Sequence, residues 1–503
     1  MIYFIDINVK KIYCYTSHIM KAKHKQTPLY TTLVNHAVKN MTSFHTPGHK
    51  NGAGIEKEFL YFIGKNFFMM DVTVFPEVDS LHQPSGPIKF AQELMADLYG
   101  VKESLFLVNG STSGNLSMLL SACNPKDSII VSRNTHKSIL SAIVMSGVWP
   151  IWIQPKIDRN LDIILSSTPR QIEEKLEKFP EAKAVFLTYP TYNGICANIK
   201  EIVRIVHKHG KLLLVDEAWG AHLKFHPDLP ISAEEAGADM IVQSTHKTLG
   251  AISQGSVLHV NSDEVDIVKI KKVVSMLQTT SPCYPILASI DLTRKQMAQR
   301  GRELTGNMLR NANYARKMIN KLKKIYCFGK KDVHKGYNLD STKLTMNVTK
   351  AGISGYEIDQ ILNEEYNLQV DCSDLFNIIA ILGIGTSRID MKLLVDSLSK
   401  IDVKYKDSQF NRILDIPNLS TEMVLMPRDV MLNLPSETIP LKDSEGRISA
   451  EVISPYPPGI PILIPGERII GEIIDYLNKL NNSDNILPDY HKKKFEKIRV
   501  VTI

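Results

Sequence analysis

Short apolar segments alternate with helical patterns between residues 104 and 242, and this alternation restricts the fold more than any other feature. The apolar segments lie at residues 104–108, 128–131, 150–153, 184–187, 211–215 and 238–242. Helical patterns cover residues 115–123, 136–146, 169–178 and 199–209. Such alternation predicts an α/β fold with a mostly parallel sheet and helices on both faces. Ligands bind beyond the carboxyl ends of the strands in sheets of this kind.

The rest of the chain predicts further units, since 503 residues are long for one domain. We expect an N-terminal extension at 1–26, a major domain at 27–320, a smaller α/β domain at 321–410 and a C-terminal domain at 411–503. The major domain should contain a helix near 29–41 and long helices over 263–320 that break near 281–285. The C-terminal domain contains a proline-rich stretch at 455–467. So many prolines exclude a regular element there, and we expect an ordered loop with one short strand.

Composition excludes several classes of protein. A content of 44% hydrophobic and 22% charged residues is typical of a globular chain, and a net charge of +7 gives no reason to expect a nucleic-acid partner. No apolar run is long enough to span a membrane. The first 26 residues do not resemble a signal peptide, because Asp6, Lys10 and Lys11 interrupt the apolar run. None of the six cysteines forms a Cys-x-x-Cys pair, so we expect no zinc site or disulfide framework and a cytoplasmic location.

Lys247 lies in the segment Gln243-Ser-Thr-His-Lys-Thr-Leu-Gly250, directly after the predicted strand 238–242. A lysine near a strand end is more often structural or exposed. Here hydroxyl groups and a histidine surround it, and a desolvated lysine has a depressed pKa and can form a Schiff base. Lys247 is therefore a candidate for carbonyl chemistry.

A phosphate site is predicted at Gly110-Ser-Thr-Ser-Gly114, which joins a strand to a helix. Backbone N–H groups at a helix N-terminus bind phosphate, and the hydroxyls of Ser111, Thr112 and Ser113 add donors. The alternative is an ordinary helix cap, which serine and threonine also favour.

Asp216 follows the apolar segment 212–215, and a carboxylate at the end of a buried strand needs a partner. That partner is the ring nitrogen of pyridoxal phosphate or, alternatively, a helix terminus or a lysine. His136 also follows a strand and could lie flat on a cofactor ring or simply cap a helix. Trp219 and His222 fit the core or the rim of a site. A phosphate turn, a buried acid and a lysine together indicate a pyridoxal phosphate site.

These residues resemble those of pyridoxal-phosphate enzymes with the aspartate aminotransferase fold (fold type I). The chain is similar to the ornithine/lysine/arginine decarboxylase family in its short bacterial form, as in biosynthetic arginine decarboxylases. The resemblance runs from about Thr27 to the C-terminus. Its motifs are Phe44-His-Thr-Pro-Gly-His-Lys50, Asp79-Ser-Leu-His82, Arg133-Asn-Thr-His-Lys-Ser138, Pro190-Thr-Tyr-Asn-Gly194, Tyr456-Pro-Pro-Gly-Ile-Pro461 and Pro465-Gly-Glu467.

The resemblance implies a role for each candidate residue. Lys247 would carry the cofactor, Asp216 would bind its ring nitrogen and His136 would stack on the ring, with Ala218 and Trp219 nearby. The phosphate would be surrounded by Ser111, Thr112, Ser113, Ser244 and His246. Glu467 is a candidate for binding the distal cation of the substrate, with a surface charge after a Pro-Gly turn as the plainer and slightly favoured alternative.

The implied reaction is decarboxylation of a basic amino acid in polyamine biosynthesis, with arginine to agmatine ahead of lysine to cadaverine or ornithine to putrescine. A homodimer or larger even-numbered assembly is expected. One alternative is an aminotransferase of the same fold, which would use an arginine such as Arg388 to bind the substrate carboxylate. Another is a non-catalytic regulatory relative, which should lack the lysine or the acid. Lys247, Asp216 and His136 are all present.

Overall fold

A seven-stranded sheet forms the centre of the computed structural model, which describes residues 22–405, 421–454, 460–481 and 495–502. The strand order is β1-β7-β6-β5-β4-β2-β3. Five neighbouring strands, β6 to β3 in that order, are parallel, and β7 runs antiparallel to β1 and β6. The mostly parallel sheet is confirmed, with β7 as a strand that the sequence pattern did not predict. The strands are β1 (Glu103–Leu107), β2 (Ser128–Ser132), β3 (Trp149–Ile153), β4 (Ala184–Thr188), β5 (Leu212–Asp216), β6 (Met240–Gln243) and β7 (Ser256–Val260).

Helices cover both faces of this sheet, as predicted. On one face Leu116, Ile139 and Ile270 bury apolar side chains against the strands, and on the other Ile172 and Ile202 do so. In the described part of the chain, no helix is both long and apolar enough to cross a bilayer. The main helices here are α1 (Pro28–Val38), α2 (Pro87–Tyr99), α3 (Gly110–Ala122), α4 (Lys137–Ser146), α5 (Pro169–Lys178), α6 (Ile199–Lys208), α7 (Ile267–Met276) and α8 (Tyr284–Ile319).

Helix α3 lies unusually close to the sheet. Residues 110–113, predicted as a turn, form its first turn instead. A Cβ atom on Gly114 would overlap the side chain of Val242 and come within 2.9 Å of Leu107. Only glycine permits this approach, which brings the N-terminus of α3 to the carboxyl ends of β1 and β6.

The smaller domain is an antiparallel sheet that packs on the end of α8. Its strand order is β8-β9-β11-β10, and its core includes Ala312, Ala315 and Ile319 of α8. The predicted strand at 344–348 and helix at 355–365 are present with shifts of about one residue. The elements are β8 (Tyr326–Cys327), β9 (Lys343–Asn347), β10 (Cys372–Ser373), β11 (Asn377–Ile381), α9 (Gly355–Tyr366) and α10 (Arg388–Lys404).

The C-terminal part is built around α11 (Gly471–Asn481) and the antiparallel strand pair Ser436–Pro440 and Lys497–Val501. Its core also includes Tyr356, Leu375 and Phe376 of the smaller domain. Residues 455–459 of the proline-rich stretch lie outside the described residues. The remainder makes single bridges, such as that between Ile453 and Leu463, rather than the predicted short strand.

The N-terminal extension was predicted to end at residue 26, and its residues 1–21 lie outside the described part. Its last residues belong to the major domain. His24 is buried and its Nε2 lies 3.1 Å from Asp97, while Arg294 donates a hydrogen bond to its carbonyl oxygen.

Candidate active site

A cavity of about 310 Å³ opens beyond the carboxyl ends of β4, β5 and β6, next to the N-termini of α3 and α4. Nine of the ten residues predicted from sequence to contact a cofactor line it. The lining residues are Asn109, Gly110, Ser111, Thr112, Asn115, His136, Thr188, Asp216, Ala218, Trp219, Ser244, His246, Lys247 and Gln254. The sheet therefore collects side chains from segments more than 130 residues apart.

Ser113 is the predicted cofactor residue that does not line the cavity. Its buried hydroxyl donates a hydrogen bond of 2.9 Å to the carbonyl oxygen of Gly110. Ser111 does face the cavity, with its Oγ 2.7 Å from Ser244 Oγ and 3.4 Å from Ser256 Oγ. The hydroxyl of Ser113 is thus engaged within α3, since successive residues of a helix point in directions about 100° apart, and its contact with a phosphate stays a prediction.

Asp216 is connected to His136 through two polar side chains. Asn115 Nδ2 donates hydrogen bonds to Asp216 Oδ2 at 2.8 Å and to Ser138 Oγ at 2.9 Å. Ser138 Oγ lies 2.8 Å from His136 Nδ1. The other carboxylate oxygen of Asp216 accepts the N–H of Ala218 at 3.1 Å. The carboxylate is thus held in a fixed orientation at the end of β5.

His136 also caps α4, since its Nδ1 accepts the backbone N–H of Ser138 at 3.2 Å. Capping and a place in the cavity were alternatives in the sequence, and the structure combines them. Because Nδ1 accepts, the neutral ring carries its proton on Nε2. Burial lowers the pKa of His136, although Asp216 opposes the shift, so a neutral aromatic ring is favoured near pH 7.

Lys247 extends from the short helix Thr245–Thr248, which follows β6. Thr245 Oγ1 and His246 Nδ1 each donate a hydrogen bond of 2.8 Å to the carbonyl oxygen of Gly255, which fixes this helix against the start of β7. The Nζ atom of Lys247 lies 3.9 Å from the ring centroid of Trp219. Burial lowers the pKa of Lys247, with Asp216 and Asp371 opposing the shift. The amine is therefore more nucleophilic near pH 7 than an exposed lysine.

A second lysine reaches the same tryptophan from the smaller domain. Lys343 is buried, its Nζ lies 4.4 Å from the ring centroid of Trp219, and it donates a hydrogen bond to the carbonyl oxygen of Tyr192 at 3.3 Å. Burial lowers the pKa of Lys343 to about 8, Asp340 opposes the shift, and Lys247 adds to it. Trp219 thus lies at the rim of the cavity and contacts both cations.

His222 lies in the core, which was one of the two locations that the sequence allowed. Its Nε2 is 3.2 Å from Asp340 Oδ1, and its Nδ1 is 3.2 Å from Thr248 Oγ1. Burial alone would raise the pKa of Asp340, but His222 and Lys343 lower it to about 2. This buried group joins the helix that carries Lys247 to the strand that carries Lys343.

Glu467 is neither a surface charge nor a free carboxylate at the cavity. It is fully buried, and Arg133 donates to its two oxygens at 2.6 and 2.8 Å. Arg133 also donates to the carbonyl oxygens of Pro461 and Ile462. A carboxylate this deeply buried needs a cationic partner, and Arg133 provides it. The ion pair joins the C-terminal domain to the end of β2.

Arg388, the carboxylate ligand that an aminotransferase would need, does not line the cavity. Its Nε donates to Asn311 Oδ1 at 3.0 Å, and its guanidinium lies 4.2 Å from the ring centroid of Tyr314. Both partners belong to α8. Arg388 therefore joins α10 to α8.

Sequence reasoning missed several residues of the site. Asn115 carried a usable signal, because it lies four positions after Ser111 and such residues share one face of a helix. Thr188 ends β4 in the way that Asp216 ends β5. Gln254 and Lys343 come from a loop and from another domain, and no local pattern identifies them.

Comparisons with known proteins identify the family of the chain. The chain matches the model of the Orn/Lys/Arg decarboxylase major domain over residues 27–390 and that of the C-terminal domain over residues 416–494. It is 41% identical to an arginine decarboxylase of Halalkalibacterium halodurans, covering 95% of this chain and 98% of the relative. It is 40% identical to an arginine decarboxylase of Bacillus subtilis, covering 92% and 95%.

The chain belongs to the Orn/Lys/Arg decarboxylase family. Members of this family are amino acid decarboxylases, which are lyases. The fold is that of a lysine decarboxylase from Francisella novicida, with a TM-score of 0.82, 24% identity and coverage of 99% of this chain and 83% of that one. It is the pyridoxal-phosphate fold type I, as the sequence resemblance implied.

Proposed function

We propose that this Orn/Lys/Arg decarboxylase converts arginine to agmatine with pyridoxal 5′-phosphate, in polyamine biosynthesis. The observation that carries the proposal is that Lys247 and Asp216 line one cavity, with Asp216 oriented by Asn115. Arginine is favoured because arginine decarboxylases from three Bacillus species and a relative share 38–41% identity with the chain, whereas the lysine decarboxylases share 25–26%. Lysine and ornithine are the next candidates for the substrate.

The residues fit pyridoxal phosphate. The N-terminus of α3 and the hydroxyls of Ser111, Thr112 and Ser244 suit a phosphate group. Asp216 suits a protonated ring nitrogen. The buried Asn115 Oδ1 and Thr188 Oγ1 atoms have no hydrogen-bond partner among the described residues, and both line the cavity, where polar groups of a ligand can satisfy them.

Pyridoxal phosphate, when bound, supplies an electron sink for the pair left by departing carbon dioxide. The chain supplies the rest. Lys247 Nζ, whose pKa is lowered by burial, would be the nucleophile that holds the cofactor. The carboxylate of Asp216 would bind the ring nitrogen and hold a proton there. The neutral ring of His136 would provide a flat surface for the cofactor ring, and His246 would lie among the residues around the phosphate.

We also propose a homodimer or larger even-numbered assembly. The segment between α1 and α2 exposes large aromatic side chains, with Phe44 and Tyr61 each 93% exposed and Phe62 85% exposed. The short helix Lys57–Ile63 has no buried residue within this chain. Contiguous apolar surface of this kind marks an interface, and a second copy of the chain would cover it.

A paired assay tests the reaction. Purified protein supplied with pyridoxal phosphate should release carbon dioxide from arginine and should not transfer its amino group to 2-oxoglutarate. The contacts of Arg388 with Asn311 and Tyr314 of α8, away from the cavity, support this outcome against an aminotransferase. Lys247→Ala should abolish both turnover and the cofactor absorbance band, whereas the non-catalytic alternative predicts no turnover in the unaltered protein.

A further inference from the structure

A basic amino acid brings a distal cation into the site, and a desolvated cation needs a carboxylate partner. Three acidic side chains near the cavity are already engaged. Asp216 is oriented by Asn115 and Ala218, and Glu467 is paired with Arg133. Glu217 is fully buried and accepts from Ala233 and Gln243. The partner must come from elsewhere.

Asp371 lies in the smaller domain, one residue before β10, and is connected to the cavity through Tyr192 and Trp219. It is exposed, and its Oδ2 accepts a hydrogen bond from the hydroxyl of Tyr192. The ring of Tyr192 meets the ring of Trp219 edge-on, with centroids 5.2 Å apart. Trp219 lines the cavity and contacts Lys247. The two aromatic rings therefore connect the carboxylate of Asp371 to the reacting amine.

The charge of Asp371 affects the two lysines beside Trp219. Burial lowers the pKa of both Lys247 and Lys343, and Asp371 is among the groups that oppose the shift at each. A protonated Lys343 would repel an incoming cation. Asp371 is placed to offset that repulsion. Its Oδ1 atom makes no hydrogen bond to any described residue, so this oxygen is available to a ligand.

We propose that Asp371 binds the distal cation of the substrate side chain, an inference that rests on the proposed decarboxylation of a basic amino acid. The aromatic rings of Tyr192 and Trp219 then form an apolar wall along the aliphatic part of that side chain. Tyr192 positions the carboxylate by donating its hydroxyl proton to Oδ2. Substrate preference for a basic side chain thus comes from the smaller domain rather than from Glu467.

The test compares Asp371→Asn, Asp371→Glu and the control Asp396→Asn, which removes an exposed aspartate on α10. Asp371→Asn should raise the KM for arginine about 10- to 100-fold, as expected for the loss of a charge-assisted hydrogen bond, with a smaller change in kcat. Asp371→Glu should restore part of the affinity, and Asp396→Asn should leave KM unchanged. The cofactor absorbance band should be the same in all of them.

A second readout separates recognition of charge from loss of structure. Binding of citrulline, which has the shape of arginine without its positive charge, is followed by the change in the cofactor band. Asp371→Asn should weaken arginine much more than citrulline. Tyr192→Phe, which keeps the carboxylate and the ring, should raise the KM for arginine less than Asp371→Asn does.

Three outcomes overturn the inference. An unchanged KM in Asp371→Asn, with an active unaltered enzyme, rejects Asp371 and leaves the proposed reaction standing. Equal weakening of arginine and citrulline, or loss of the cofactor band, assigns Asp371 a structural role only. An unaltered enzyme that carries the cofactor but decarboxylates no basic amino acid rejects the proposed function, and the inference with it.

Discussion

Arg133 and Glu467 form an ion pair in which both side chains are fully buried, with nitrogen–oxygen distances of 2.6 and 2.8 Å. Arg133 directly follows β2, and His136 lies three residues farther along the same segment. Glu467 belongs to the C-terminal domain. The pair therefore holds the segment that carries His136 against the C-terminal domain, which gives that domain a part in shaping the active site.

Glu467→Gln should destabilise the protein strongly. Removing one partner of a buried pair leaves the other charge uncompensated, at a cost of about 3–5 kcal/mol. The unfolding temperature and the affinity for the cofactor should both fall, because the segment between β2 and α4 loses its contact with the C-terminal domain. Glu437→Gln is the control, since Glu437 pairs with Arg447 at the surface of the same domain, where a pair contributes about 0–1 kcal/mol. Equal effects of the two changes would contradict this account of the pair.

Lys247 lowers the pKa of Lys343, and repulsion between two cations is mutual, so Lys343→Met should raise the pKa of Lys247 while keeping an apolar stem. Only a neutral lysine attacks the cofactor aldehyde. The rate at which cofactor-free protein takes up pyridoxal phosphate, measured against pH, should therefore have its midpoint at higher pH than in the unaltered protein. Lys343→Arg and the exposed Lys350→Met should keep the original midpoint. A midpoint that stays or falls in Lys343→Met would show that the two lysines do not interact.

His259 should make the protein sensitive to acid. It is fully buried between Ser104 Oγ at 2.8 Å and Gln243 Oε1 at 3.3 Å, and burial lowers its pKa to about 3 from about 6.5. The unfolded chain binds a proton between these values and the folded chain does not, so stability is lost as pH falls from about 6.5 to about 3.

The neighbouring Glu217 and Glu234 have pKa values raised by burial, and their effect on stability has the opposite sign. The measurement is therefore a difference, in which the unfolding temperature is followed against pH in the unaltered protein and in His259→Gln. His259→Gln should lose less stability over this range. Parallel curves would assign the acid sensitivity to other groups.

Tyr61→Glu together with Phe62→Glu should weaken assembly, because a charge would replace apolar surface at the proposed interface. Sedimentation should show a lower mass than for the unaltered protein. Val403→Glu places the same charge on an exposed apolar position of α10 and should leave the mass unchanged. A monomeric unaltered protein, or full assembly of the double variant, would reject the interface.

The positions of Asp216 and Lys247 beside one cavity could be predicted from the sequence, because they depend on short local patterns. Asp216 and Lys247 each follow a buried apolar segment, and parallel strands bring their carboxyl ends to one edge of a sheet. Strand β7 escaped prediction because it runs antiparallel and carries the buried polar residue His259. The hydroxyl of Ser113 bonds within α3 instead of facing the cavity, because three consecutive hydroxyls on a helix cannot all point the same way.

Long-range contacts account for the remaining errors. Glu467 and Arg133 are 334 positions apart, and a Pro-Gly turn is as compatible with an exposed carboxylate as with a buried one. Lys343 contacts Trp219 and Asp371 contacts Tyr192 from another domain, so no spacing in the sequence relates them to Lys247. Only the packing of the smaller domain on α8 brings these residues together.

Incubation with arginine, lysine and ornithine, followed by identification of the amine and of carbon dioxide, tests the central claim most directly. The account predicts agmatine and carbon dioxide in equal amounts from arginine, slower or no product from the other two, and no product in Lys247→Ala. A protein that shows the cofactor band but releases carbon dioxide from none of the three, or transfers their amino groups to 2-oxoglutarate, would contradict it.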